Sequence, residues 1–175
     1  MATVYYPTRI DQLGEEPNIA WTSAPTLREP LLIGRIWRTV KSLKHIANPA
    51  SGPIRDSTYQ LICTGFRIPA LAEVTGIELR VIAQRNGRIT DETVQLTYQG
   101  QVIGRNNFVY ETDEEGRLPL DNDTRYGGQD DLWGTELTPE MIQDASFGVI
   151  LKFQSHPYYP HSSDMQIESV SLTVY

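Results

Sequence analysis

The chain has 175 residues, room for one domain or one domain with an arm, and at that length it can bury roughly 70% of its unfolded surface. Fifteen Lys and Arg against 22 Asp and Glu give a net charge of −7, which argues against a general nucleic-acid binder, whose footprint is basic. The single cysteine, Cys63, excludes an internal disulfide and a cysteine-based zinc site; no apolar run approaches the roughly 20 residues of a membrane span, and Met1–Pro7 lacks the basic and apolar regions of a signal peptide.

Residues 1–55 read as an N-terminal arm. Pro7, Pro17, Pro25 and Pro30 each remove a backbone donor and restrict the preceding residue, so the segment is expected to be extended, lying on its own domain or on a neighbouring subunit. Leu32, Ile36, Val40, Leu43 and Ala47 follow a 4-4-3-4 spacing that predicts one short amphipathic helix over 31–47, broken by the Pro- and Gly-rich stretch 48–53. Residues 1–60 carry seven basic and five acidic groups, a net +2, so the remainder carries −9. Such asymmetry marks a docking surface or a merely solvated face. On the first reading, Arg35, Arg38, Lys41 and Lys44 are assembly contacts.

From residue 58 the period changes to two. Tyr59, Leu61 and Cys63; Ile77, Leu79, Val81 and Ala83; Val94, Leu96 and Tyr98; and Val149, Leu151 and Phe153 each alternate with more polar neighbours, as half-buried strands do. In the last run, Ile167, Ser169, Ser171 and Thr173 alternate with Glu168, Val170, Leu172 and Val174. Turn residues separate the runs: Pro69-Ala70, Arg85 to Arg88, Tyr98 to Gln101, and His156 to Asp164. One exception is Thr138-Pro139, where an N-cap Thr and a Pro at the first helical position predict a single short helix ending near Asp144. The whole predicts an all-β antiparallel sandwich or jelly roll over 56–175.

Signals of chemistry are weak. A calcium loop begun at Asp121 would need Gly at its sixth position and Glu at its twelfth, where Tyr126 and Leu132 stand. His156, His161 and Asp164 lie across two prolines with nothing nearby to orient the rings, which suits a stiff loop better than a metal site. No Gly-x-Ser-x-Gly occurs, and Cys63 falls within strand alternation as a small core residue. No cofactor is expected, and the chain reads as no enzyme. Tyr158 and Tyr159 make a surface-contact loop, because Tyr offers contact area at low entropic cost. Together with Trp21, Tyr126 and Trp133 they are also the candidates for a sugar-stacking platform, so a glycan is the ligand of the alternative reading. The competing reading of Tyr126 and Trp133 is packing at the sandwich rim.

The most specific words in the chain run in order. Gly65-Phe66-Arg67-Ile68-Pro69 leads to Val74-Thr75-Gly76-Ile77-Glu78-Leu79, then to Ile89 to Leu96, then to Gly104-Arg105-Asn106. Tyr126-Gly127-Gly128-Gln129-Asp130-Asp131-Leu132-Trp133-Gly134 follows, then Phe147-Gly148-Val149, and finally Ile167 to Tyr175. This order resembles a group of virion-associated jelly-roll proteins of tailed bacteriophages and prophages, with Glu168 standing where that group carries Asp. The resemblance spans about residues 60–175. It implies a non-enzymatic structural protein, made in the host cytoplasm and carried in the virion. Its partners would be other virion proteins and further copies of itself, with no nucleic acid and no membrane. The tail, baseplate or fibre region comes first and head decoration next; the alternative is a carbohydrate-binding sandwich that attaches to the host surface. Physically, Gly127 and Gly128 permit a tight corner, Asp131 can cap a turn, and Trp133, with Tyr126, can anchor the loop to the core.

Overall fold

The structure, a computed structural model, describes residues 3–25, 35–41, 43, 45–46, 54–71, 73–86, 89–108, 122–155 and 163–175. The strands in chain order are β1 (Val4–Tyr5), β2 (Arg9–Leu13), β3 (Trp21–Pro25), β4 (Arg35–Thr39), β5 (His45–Ile46), β6 (Ile54–Arg55) and β7 (Gln60–Thr64). They continue as β8 (Ile77–Asn86), β9 (Ile89–Tyr98), β10 (Gln101–Ile103), β11 (Asp123–Gly127), β12 (Gly148–Ser155) and β13 (Asp164–Val174), with one helix, α1 (Pro139–Gln143), before β12.

Two antiparallel sheets form a β-sandwich. One runs β11-β8-β13-β4-β3, with β1 also on β13; the other runs β10-β9-β12-β7-β2. β5 and β6 make a separate two-stranded pair. From β7 to β13 the chain changes sheet at every step except the β9–β10 hairpin, a connectivity of the jelly-roll kind. That hairpin turns through Gln99 (φ 51°) and Gly100 (φ 75°), the two-residue connection whose twist matches its strands.

The alternating apolar sets face inward as their period requires. Leu61 and Cys63 on β7, Ile77, Leu79, Val81 and Ala83 on β8, and Val149, Leu151 and Phe153 on β12 are all buried in one core. Two strands change phase partway. On β9, Lys152 of β12 faces Thr93 and Phe153 faces Asp91, so Glu92 is an extra residue. The inward set therefore runs Ile89, Asp91, then Val94 and Leu96. On β13, Ile167 faces Ala83 and Ser169 faces Ile82, so Glu168 is extra. Ile167 is then followed in the core by Val170 and Leu172.

The helix expected over 31–47 is absent where that span is described. Residues Arg35–Thr39 are strand β4, paired with β3 along its length and with β13 at Gln166 and Ile167. Ile36, Trp37 and Thr39 are types that suit a pleated surface, and the open side of β13 supplies the partner that an isolated helix would lack. Leu43 is fully buried and bridges to Ser163. The described part of the first 55 residues is extended, as its prolines require. It is built into the sandwich: β2 is the last strand of one sheet, and β3, β4 and β1 belong to the other. Helix α1 stands where Thr138-Pro139 predicts it; the Thr138 hydroxyl accepts the Met141 N–H at 3.3 Å, and Ile142 turns into the core.

Candidate functional site

Two of the motifs that carry the resemblance, Gly104-Arg105-Asn106 and Tyr126 to Gly134, meet beside Ile77, where the chain passes from β11 to β12. Trp133 is fully buried, and its Nε1 donates to the Ile77 carbonyl at 2.9 Å. Its backbone is left-handed (φ 59°), a conformation costly for a bulky residue, and three bonds hold it there. The Trp133 N–H donates to Asp131 Oδ1 at 2.7 Å, the Trp133 carbonyl accepts the Arg105 N–H at 2.7 Å, and the indole bond is the third. Burying an indole removes about 200 Å² from water, worth on the order of 5 kcal/mol as an upper estimate.

Around that indole the motif residues act as one lock. Asp131 also accepts from Arg105 Nη2 at 2.7 Å, its N–H donates to Gly128 O at 3.1 Å, and its carbonyl accepts the Ile77 N–H at 3.0 Å. Gly127 sits at φ 75°, and a Cβ there would meet Ile77 O and Trp133 Nε1. Gly104, at φ 69°, leaves the Trp133 carbonyl room that a Cβ would take. Asn106 staples the Glu92 bulge: its Oδ1 accepts the Val94 N–H at 2.7 Å and its Nδ2 donates to Glu92 O at 2.9 Å. Gly104-Arg105-Asn106 and Tyr126 to Gly134, twenty residues apart in the chain, thus meet in space.

Tyr126 enters a second cluster that the sequence reading missed. Its hydroxyl donates to Asp91 Oδ2 at 2.8 Å, and Arg85 Nη2 lies 3.4 Å from Asp91 Oδ1. Arg85 also donates to Ile89 O at 3.2 Å and lies 5.5 Å from the centre of the Phe153 ring. Tyr126 and Arg85 belong to one sheet and Asp91 to the other, so the cluster ties the two layers through the interior. Burial, then the Asp91 charge, push the Tyr126 phenol well above its ordinary range, so it donates throughout the accessible pH range. A signal was present for Arg85, which continues the core phase of β8; Asp91 is out of phase with Val94 and Leu96 and is turned inward by the Glu92 bulge.

Of the four basic residues singled out as contacts, Arg38 and Lys41 line one groove of about 460 Å³ together with Thr39, Asn86, Asp164 and Gln166. Arg38 Nε donates to Gln166 Oε1 at 2.7 Å, and Asn86 donates to Asp164 at 2.7 Å. Arg35 lies on β4 with its backbone paired to Pro25; its side chain, Lys44, Tyr158 and Tyr159 lie outside the described residues. Trp21, Tyr126 and Trp133, three of the five aromatic residues offered as a sugar platform, are core residues and present no stacking face.

The nucleophile inventory is brief. Cys63 is buried, and desolvation pushes its thiol up to about 12, so the thiolate form is unavailable near neutrality. Among the described residues, no three His, Cys, Asp or Glu side chains converge to hold a metal ion. No helix among them is long and apolar enough to cross a membrane. No known protein family matches the chain, and no curated protein is similar to it in sequence.

Proposed function

We propose that this chain is a non-enzymatic structural protein of a tailed-bacteriophage particle, working through contacts between subunits. The tail, baseplate or fibre region is the favoured place, with head decoration second. The observation that carries the reading is the ordered set of motifs from Gly65 to Tyr175, whose most specific segment, Tyr126 to Gly134, forms one structural lock with Gly104-Arg105-Asn106. A scaffold motif of that kind supports a stable building block and calls for no substrate. The groove rimmed by Arg38 and Lys41 offers a basic contact for an acidic neighbour.

The test is quantitative mass spectrometry of purified particles, scaled to the major shell protein. A few to a few dozen copies per particle is the expected result for a tail or baseplate component. Hundreds of copies would move the protein to head decoration or the tail tube. Absence from particles would overturn the reading.

A further inference from the structure

We infer that β2 is a self-pairing edge that joins two copies of this chain about a two-fold axis. The inference rests on the assembly reading for its use in a particle, but its physical basis is independent of it.

Among the described residues, β2 is the last strand of its sheet. The tight β9–β10 turn makes Tyr98 and Gln101 a hydrogen-bonded pair. Thr93, Gln95 and Thr97 therefore turn to β12, Val149 and Leu151 turn to β7, and Leu61 and Cys63 use their backbone groups on β12. Gln60, Ile62 and Thr64 are left to make the ladder bonds with Leu13, Asp11 and Arg9. The backbone N–H and C=O groups of Ile10 and Gln12 point the other way, along the outer edge. Such a row is a template for another strand unless it is blunted. β10, at the far side of the same sheet, is blunted by its length of three residues. β2 offers five, four of them exposed, and Leu13 is 63% exposed.

The side chains select the occupant. Arg9 and Asp11 share the outer face, and their charges meet at 2.6 Å with side chains 73% and 49% exposed. A second copy of β2 laid antiparallel, with Ile10 opposite Ile10 of the second copy, places Arg9 opposite Asp11 and Asp11 opposite Arg9. Ile10 opposite Ile10 is the hydrogen-bonded pair, because residue 10 carries outward backbone groups, and the two Arg9–Asp11 pairs flank it at non-hydrogen-bonded positions, where side chains stand closer. The register thus satisfies the outward groups of both Ile10 residues and sets four charges in alternation. The sequence Arg-x-Asp is its own complement under a two-fold, which is the requirement for an isologous contact. Joining the edges would give a continuous sheet of ten strands across the two copies.

The experiment is sedimentation velocity of the full-length chain over a micromolar concentration series, for wild type and four variants. Circular dichroism checks that each variant is folded. Wild type should sediment as a dimer, twice 19.8 kDa. Asp11→Arg and Arg9→Asp each turn two attractive contacts into two repulsive ones and should weaken the dimer roughly ten- to a hundredfold. The exchanged double variant, Arg9→Asp with Asp11→Arg, should restore it. Asp11→Ala removes the attraction without adding repulsion and should weaken the dimer less than Asp11→Arg does. A wild-type monomer throughout the series, or an assembly whose size the single reversals do not reduce, would overturn the inference. Either outcome leaves the particle assignment to the mass spectrometry, so the two can fail separately.

Discussion

Gly127 and Gly128 are adjacent in the chain and indistinguishable by composition, yet Gly127→Ala and Gly128→Ala should differ sharply. A Cβ on Gly127 would strike the Ile77 carbonyl and come within 2.5 Å of Trp133 Nε1, and the backbone there is at φ 75°. The left-handed conformation costs an L-residue about 1–2 kcal/mol. Crowding in a packed site adds about 1–3 kcal/mol. Loss of the indole bond to Ile77 adds about 1 kcal/mol, and little more, because the Gly128 N–H still satisfies that carbonyl. The total is about 3–6 kcal/mol. At about 2–4 °C per kcal/mol for a chain of this size, the melting temperature should fall on the order of 10 °C. At Gly128 nothing lies within 4 Å of the built Cβ and φ is not positive. Alanine there should be neutral, or stabilising by about 0.5 kcal/mol through the unfolded chain. Urea unfolding with equal slopes for all three proteins is the assay. Equal midpoints for the two variants would refute the account of the lock.

Tyr126→Phe removes the hydroxyl donated to buried Asp91 and should cost about 1–3 kcal/mol, whereas Tyr98→Phe, on a half-exposed tyrosine, should cost less than about 0.5 kcal/mol. Equal losses in urea melts would remove the interior cluster from the account. Cys63, with its thiol held near 12, should resist a disulfide reagent at pH 8 in the native protein and react at once in denaturant; rapid native labelling would show that β7 opens readily. Arg80 forks onto Asp123 at 2.7 and 2.6 Å and holds that carboxyl below its ordinary value. Because the folded value is the lower one, the pair's stabilisation is present above pH about 4 and is lost as pH falls through the folded value. The gap in melting temperature between wild type and Asp123→Asn should therefore close toward pH 2, and a gap independent of pH would contradict the pairing.

The strands of the core were legible because burial on one face leaves a period of two, and the Leu61, Ile77, Val94 and Val149 runs kept it. The helix at Pro139 was legible because its cap is local chemistry. What escaped depends on partners distant in sequence. The spacing of Ile36 and Val40 fits a helix as well as a strand, and the choice was made by an unfilled side of β13, more than a hundred residues away. The run from Ile167 to Thr173 reads as one alternation, but Glu168 is a bulge, and the true inward set is Ile167, Val170 and Leu172. A bulge carries no residue signature beyond the phase change itself, which only the register reveals. Arg85 was passed over because a charged residue in a core phase looks like an error in the phase until its partner is seen, and Asp91 because the Glu92 bulge takes it out of phase with Val94 and Leu96.

That division bears on function. Residues that stood out in the sequence, Gly104, Arg105, Asn106, Asp131 and Trp133, stand out because the lock needs particular backbone angles and particular donors, and the fold uses those groups itself. Contact surfaces impose weaker demands. An edge strand needs free backbone groups, which every residue but proline supplies, and a charge order that a partner can match. On β2 that order is two residues long. A protein whose work is assembly would therefore show its scaffold plainly in sequence and its contacts faintly, and Arg9 and Asp11 went unremarked until the sheet order placed them on an outer edge.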